Sequence, residues 1–438
     1  MTVITKKGLA LLGGQRAVTT KAPAWPVVTE EDARRMAEVV RSGKWSWFGP
    51  HELAFSKEFA DFIGSKYALC LSNGTVTIQC ALQGVGVKPG DEVIVPGLTW
   101  VATAQAALDV GANVVLVDID PETLCLDPAA VRAAITPKTK AIIPVQLYGC
   151  MCDMDAIMSI AKERSLKVVE DVAHQHGSRW RDKGAGAIGD AGSFSFQQSK
   201  VLTCGEGGAV TCNNEEVFRI VFAMKQVGWV PDPAVPYVPG QTPKLVASNR
   251  YGHNYRMTEM QALLLRGGLT RLEEQTKRRE EFALRLAEGL KRIGGPLRAA
   301  RRDPCVTRQA YYAMTFVFDP AQAGGLTRAQ YAQAIGAEGC PLGPPYAPVY
   351  RCPLMNLYDE TSPVPYRDAA KIQNYAGLKL PNTERACNET ALVMSHPNML
   401  GGADYADQML EGFRKVNDNL AALREHFAAQ DRCENRNA

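Results

Sequence analysis

Between residues 67 and 212, short runs of Val, Ile and Leu alternate with longer stretches whose apolar positions recur at helical spacing. The runs are 67–72, 92–96, 113–118, 141–147, 167–172, 193–196 and 208–211. Several are apolar at nearly every position, the pattern of strands covered on both faces. The stretches 75–83, 99–108, 128–134 and 154–164 read as helices between them. This alternation predicts an α/β fold with a mostly parallel central sheet flanked by helices. In such sheets ligands bind beyond the carboxyl ends of the strands.

A long helix follows. Thr258 and Gln261 have the spacing of a capping box, and Leu263, Leu269, Leu272 and Leu286 carry the apolar stripe to Ile293. Gly294-Gly295-Pro296 then stops it. The region after it, with runs such as Tyr311–Phe318, reads as a smaller α+β unit. The expected division is a large domain over 1–275, including the N-terminal segment, and a small C-terminal domain over 276–438. A proline-rich loop at 341–353 is of the kind that approaches active sites.

Composition narrows the function classes. The 438 residues carry 49 Lys plus Arg against 46 Asp plus Glu, a net charge of 49 − 46 = +3. No basic stripe stands out, which argues against a nucleic-acid partner. A charged fraction of 22% with 46% apolar residues excludes disorder as the dominant state. No apolar stretch approaches the roughly 18 residues of a membrane span, and the N-terminal apolar patch is too short for a secretory signal, so a cytoplasmic location is expected. The twelve cysteines are dispersed, with only Cys150 and Cys152 close together, so they read as reduced and structural. His174 and His176 have no third ligand at a fitting spacing, and no metal is expected.

Gly184-Ala-Gly186-Ala-Ile-Gly189 matches a dinucleotide-binding spacing, but it precedes a strand rather than opening a helix, so it reads as a turn. Three other segments carry chemistry. Ser72-Asn73-Gly74-Thr75 lies between a strand and a helix, where free N–H groups suit a phosphate, or where Asn simply caps the helix. Asp171, in Glu170-Asp-Val-Ala-His174, closes a strand, placed to pair with a cationic ring nitrogen or to fill a turn. Lys200 follows a buried strand and precedes Gly205-Glu-Gly-Gly208, so it is a Schiff-base former or a loop lysine. Phosphate cradle, carboxylate and amine together meet the requirements of pyridoxal phosphate. Trp100 is the best-placed aromatic to stack on its ring.

At these motifs the chain resembles the DegT/DnrJ/StrS family of sugar aminotransferases, a branch of the fold-type-I pyridoxal-phosphate enzymes. The resemblance covers about residues 45 to 396 and rests on Ser72-Asn-Gly-Thr75, Pro96-Gly-Leu-Thr-Trp100, Glu170-Asp-Val-Ala-His174, Ser193-Phe-Ser-Phe196 and Lys200 with its glycine turn. It implies that Lys200 carries the cofactor and Asp171 meets its ring nitrogen. Gly74, Thr75 and Ser195 would bind the phosphate, Trp100 would stack, and His174 would lie near the phenolic oxygen. Asn254, in His253-Asn-Tyr-Arg-Met257, would reach the phosphate of a partner subunit, implying a homodimer with shared sites. Ser195-Phe-Gln197-Gln198-Ser-Lys200, Pro348-Val-Tyr-Arg351 and Ser395-His396 are most similar to the glutamine:scyllo-inosose branch of aminocyclitol antibiotic assembly. That implies L-glutamine as donor and a ketocyclitol as acceptor, with Gln197, Gln198, Tyr346 and His396 as substrate-binding candidates. The alternatives are a nucleotide-ketosugar acceptor and a 3-amino-5-hydroxybenzoate synthase-like dehydratase. Lys200 argues against the relatives that replace this lysine with histidine.

Overall fold

The computed structural model describes residues 8–357 and 373–437. Its central sheet has seven strands: β1 (Tyr67–Leu71), β2 (Glu92–Pro96), β3 (Asn113–Val117), β4 (Thr139–Ile142), β5 (Lys167–Asp171), β6 (Ala191–Ser195) and β7 (Gly208–Cys212). They lie in the order β1-β7-β6-β5-β4-β2-β3. Neighbours from β6 to β3 are parallel, and β7 runs antiparallel to both β6 and β1. The near-continuous apolar runs are explained by helices on both faces. The expected strand at 141–147 is displaced toward the N-terminus. Pro144 has no N–H to give a ladder, and beyond Ile142 the chain keeps the Ile143 N–H to the Ile94 carbonyl at 2.9 Å and an isolated bridge from Val145 to Asp171.

Helices α1 (Pro50–Ile63), α2 (Gly74–Gly84), α3 (Ala102–Asp109) and α4 (Glu215–Lys225) surround this sheet. The helix expected from 99 starts at Ala102 instead, which leaves Trp100 in the preceding turn and more than half exposed. Phe59 packs edge-on against Phe194 of β6 at 4.9 Å, and Phe55 against Phe196 at 5.6 Å, so α1 is pinned beneath the lysine-bearing loop. Cys150 and Cys152 are buried, and burial pushes both thiols well up. Among the described residues no helix is long and apolar enough to cross a membrane.

The capping box at Thr258 is formed, with Gln261 donating its N–H to Thr258 Oγ1 and receiving the Thr258 N–H on Oε1. It opens α5 (Glu259–Ile293), 35 residues long. Ala262, Leu265 and Leu272 of α5 sit in one buried cluster with the central sheet. Phe282, Leu286 and Leu290 sit in a second, with Phe316, Tyr331, Met409 and Phe413. The position 275/276, expected as a domain boundary, falls on α5 between these two sets. Leu9 and Val18 pack in the second cluster and not the first, so the N-terminal segment sits with the C-terminal part of the chain. The second cluster contains an antiparallel sheet of β8 (Leu297–Ala299), β9 (Ala313–Phe318) and β10 (Ala391–Ser395).

Candidate active site

Beyond the carboxyl ends of β2, β5 and β6 lies a cavity of about 700 Å³. Its wall draws on separate parts of the chain: the start of α2, the turn before α3, the end of β5, the loop after β6 and the approach to β9. The proline-rich loop contributes Tyr346.

Asp171 ends β5 and is buried, with Oδ2 accepting the Thr103 hydroxyl at 2.8 Å and Oδ1 the Ala173 N–H at 3.1 Å. Thr103 is itself held by Thr99, in the segment before the helix, Oγ1 to Oγ1 at 3.0 Å. Burial raises the Asp171 carboxyl, while these donors and Lys200 act in the opposite direction. Burial likewise lowers the Lys200 ammonium to about 8, against the pull of Asp171. A desolvated amine faces a desolvated acid in one cavity. Each is poised for exchange with a charged ligand rather than for a simple surface ion pair.

The preceding residue, Glu170, points the other way along the strand. Its Oε1 accepts the N–H groups of Ile188 and Gly189, each at 2.9 Å. The Gly184–Gly189 segment is therefore a turn, as its sequence context implies, and its N–H groups serve an internal carboxylate.

At the start of α2, Asn73 accepts the Val76 N–H on its side chain at 3.0 Å. Thr77 Oγ1 bonds Ser193 Oγ at 2.7 Å and the Gly74 carbonyl at 2.6 Å, tying α2 to β6. The approach is so close that a Cβ on Gly74 would stand 2.7 Å from Ser195 Cβ. The first N–H groups of a helix lack intrahelical partners. Gly74 and Thr75, with the Ser195 hydroxyl, thus form a cradle on the cavity wall suited to a phosphate.

Aromatic rings close the opposite side. The His174 ring stacks on Tyr312 at 4.0 Å and 15°, and its Nδ1 accepts the Tyr148 N–H at 3.1 Å. Burial, then the nearby Lys200 charge, push His174 well down, so it is neutral with its proton on Nε2. Lys200 Nζ lies over the Tyr312 ring, 4.5 Å from the centroid. Trp100 meets Tyr346 at 5.4 Å.

The structure thus brings Gly74, Thr75, Trp100, Asp171, His174, Ser195, Gln197, Lys200 and Tyr346 onto the lining of one cavity. It does not bring Gln198, His396 or Asn254 there. Gln197 uses its side-chain oxygen to accept the Ser199 N–H and hydroxyl, both at 2.8 Å. Gln198 is exposed and faces a smaller cavity near Trp25. His396 is buried behind the lysine turn, its Nε2 donating to the Ser199 carbonyl at 2.9 Å. Asn254 is exposed, on a segment bridged to Gln226. Sequence reasoning missed Thr103, Tyr148 and Tyr312. Only Thr103 carried a signal, lying four residues after Thr99 within the stretch expected as a helix from 99.

A family model described as the DegT/DnrJ/EryC1/StrS aminotransferase family matches residues 26–403. A protein of Streptoalloteichus tenebrarius, provisionally named L-glutamine:3-amino-2,3-dideoxy-scyllo-inosose aminotransferase, is 37% identical over 421 residues, covering 95% of this chain and 99% of the relative. The L-glutamine:2-deoxy-scyllo-inosose aminotransferase of Micromonospora echinospora is 36% identical over 428 residues, covering 95% and 99%. Among solved structures, 3-amino-5-hydroxybenzoic acid synthase superposes with a TM-score of 0.76 at 32% identity, over 92% of this chain and 99% of that one.

Proposed function

The chain belongs to the DegT/DnrJ/EryC1/StrS aminotransferase family, and from that premise we propose that it moves the amino group of L-glutamine onto an inosose-type ketocyclitol with pyridoxal phosphate as cofactor. The observation that carries the reading is that Lys200, Asp171 and the Gly74–Thr75–Ser195 cradle share one cavity. These residues fit the cofactor: the missing Cβ at Gly74 lets the Ser195 side chain close against the start of α2, which sets its hydroxyl beside Gly74 and Thr75 on the cavity lining, and Asp171 offers a buried carboxylate whose partners are neutral donors and a lysine. Bound pyridoxal phosphate supplies an aldehyde for an amine and a ring that withdraws electrons.

The chain's own groups do the rest. Asp171 holds a proton on the ring nitrogen. Lys200 would hold the cofactor through its amine and, once displaced by the amino donor, would serve as base and then acid toward the proton at the donor's Cα. Neutral His174, fixed by Tyr148 and Tyr312, presents Nε2–H toward the cavity. Trp100 covers the ring, and Tyr346 and Gln197 bind substrate. Asn254 completes the phosphate site of a partner subunit, in a cytoplasmic homodimer with two composite sites.

Among the described residues, Lys200 is the only Lys or Arg on this wall, while Asp109 and Glu206 lie on it too. A nucleotide diphosphate would need cations to offset its charge, whereas a neutral polyhydroxy ketone would not. This favours the cyclitol acceptor over the nucleotide-ketosugar one. The test is incubation with L-glutamine and a panel of inososes and nucleotide ketosugars, with mass detection of the aminated product. Amination of nucleotide sugars alone would overturn the acceptor. An ultraviolet-absorbing aromatic product from an aminocyclohexenone would favour the dehydratase reading. No transfer to any ketone would sink the proposal.

A further inference from the structure

The segment 197–200 is a single turn, closed by the Lys200 N–H to the Gln197 carbonyl at 2.8 Å. Two of its carbonyls, those of Gln198 and Ser199, accept side-chain N–H groups. Each receives a ring N–H from a residue distant in sequence. Trp25 Nε1 donates to the Gln198 carbonyl at 3.2 Å, and His396 Nε2 to the Ser199 carbonyl at 2.9 Å. The two rings pack edge to face at 4.5 Å and 87°, so they act as one unit.

Both donors are anchored away from the central sheet. Val18 lies in the second cluster, and the N–H groups of Thr19 and Thr20 donate to Gln408 Oε1 at 2.9 and 3.1 Å, which fixes the segment leading to Trp25. His396 follows β10, and its N–H donates to the Tyr312 carbonyl at 3.0 Å. The Trp25 ring also meets the guanidinium of Arg279, 5.3 Å from the centroid, on a residue fully buried in α5. Burial, then the Arg279 charge, hold His396 neutral, and a neutral ring with Nε2–H donating is the tautomer the Ser199 carbonyl requires.

We propose that Trp25 and His396 are positioning residues for Lys200: their ring N–H groups hold the two carbonyls preceding it and so fix where its side chain starts. This rests on the reading of Lys200 as the cofactor lysine. It also gives His396 a role different from contact with substrate.

The test uses the holoenzyme. Trp25→Phe keeps the ring and removes the N–H, His396→Leu keeps bulk without a donor, and His396→Gln restores one. Losing a hydrogen bond of ordinary strength corresponds to about a fivefold effect. Each donor-less variant should slow the half-reaction with glutamine by about 5- to 20-fold at nearly constant KM. Amide hydrogen exchange across residues 198–204 should quicken to a similar degree, and His396→Gln should recover most of both losses. Wild-type exchange and half-reaction rates in Trp25→Phe and His396→Leu would overturn the proposal. So would a His396→Gln variant as impaired as His396→Leu, which would show mere space filling. Borohydride reduction of the wild-type protein followed by peptide mapping separates the two readings. If the cofactor is not fixed on the peptide containing Lys200, the functional reading fails, while the exchange measurement still decides what holds the turn.

Discussion

Raising the pH of the apoprotein through the range of roughly 6 to 10.5 should expose the electrostatics of Lys200 directly. Burial brings its ammonium from 10.5 to about 8. That difference corresponds to about 3 kcal/mol against the charged form. About one Lys200 in ten is then a neutral amine at pH 7, against about one in three thousand for a hydrated lysine. Only the neutral amine attacks an aldehyde. The rate of capture of added pyridoxal phosphate, followed by absorbance in a stopped-flow instrument, should therefore rise about tenfold per pH unit and level off near 8. Asp171→Asn removes the charge that favours the ammonium, so the midpoint should move lower still. A wild-type midpoint near 10.5, or an upward move in Asp171→Asn, would refute the reasoning. The sign for stability follows too. The folded pKa lies below the unfolded one, so the unfolded chain binds more protons between about 8 and 10.5 and stability should rise with pH across that window. Lys200→Met should flatten this rise in a urea-unfolding series.

Gly74→Ala places a Cβ 2.7 Å from Ser195 Cβ and 3.1 Å from its Oγ. It should cost about 1–3 kcal/mol in thermal unfolding, and affinity for pyridoxal phosphate, read by titration, should fall at least about tenfold. Thr103→Val takes from Asp171 a donor at 2.8 Å; cofactor retention through dialysis should weaken by about 10- to 100-fold, and Thr103→Ser should restore it. Lys225 and Glu52 form an ion pair with side-chain exposures of 2% and 4%. Lys225→Met leaves that carboxylate buried without its cation and should lose about 3–5 kcal/mol in urea unfolding, most of it regained when Glu52→Leu is added.

The parts legible in the sequence are those set by local pattern. The strand Glu92–Pro96 and the helices Pro128–Ala134 and Met154–Arg164 have the bounds their periodicity implies. Asp171 and Lys200 were visible because strand ends and glycine turns announce where a parallel sheet puts its ligands. Other features depended on long-range geometry. Pro144 moved β4 by removing a ladder donor. The sequence places Gln198 beside the lysine and His396 far from it, but the hydrogen bonds that Trp25 and His396 make to the Gln198 and Ser199 carbonyls across the fold have no local signature. Tyr312 is only a run of apolar sequence until β9 brings it over His174. The N-terminal segment sits in the second cluster because Leu9 and Val18 find their apolar contacts there, which no local pattern encodes.

The 35 residues of α5 make a rod of about 52 Å. It contains no proline, and its Gly267 is wedged against Asp32. Its two ends sit in different buried clusters, and a clamshell movement of one cluster against the other would have to break hydrogen bonds of the α5 backbone ladder. Trp100, on the cavity lining and outside that rod, stands 57% exposed. A ligand too bulky for that indole to move aside should therefore be turned away by the frame that the rod stiffens as well as by contacts with its own groups.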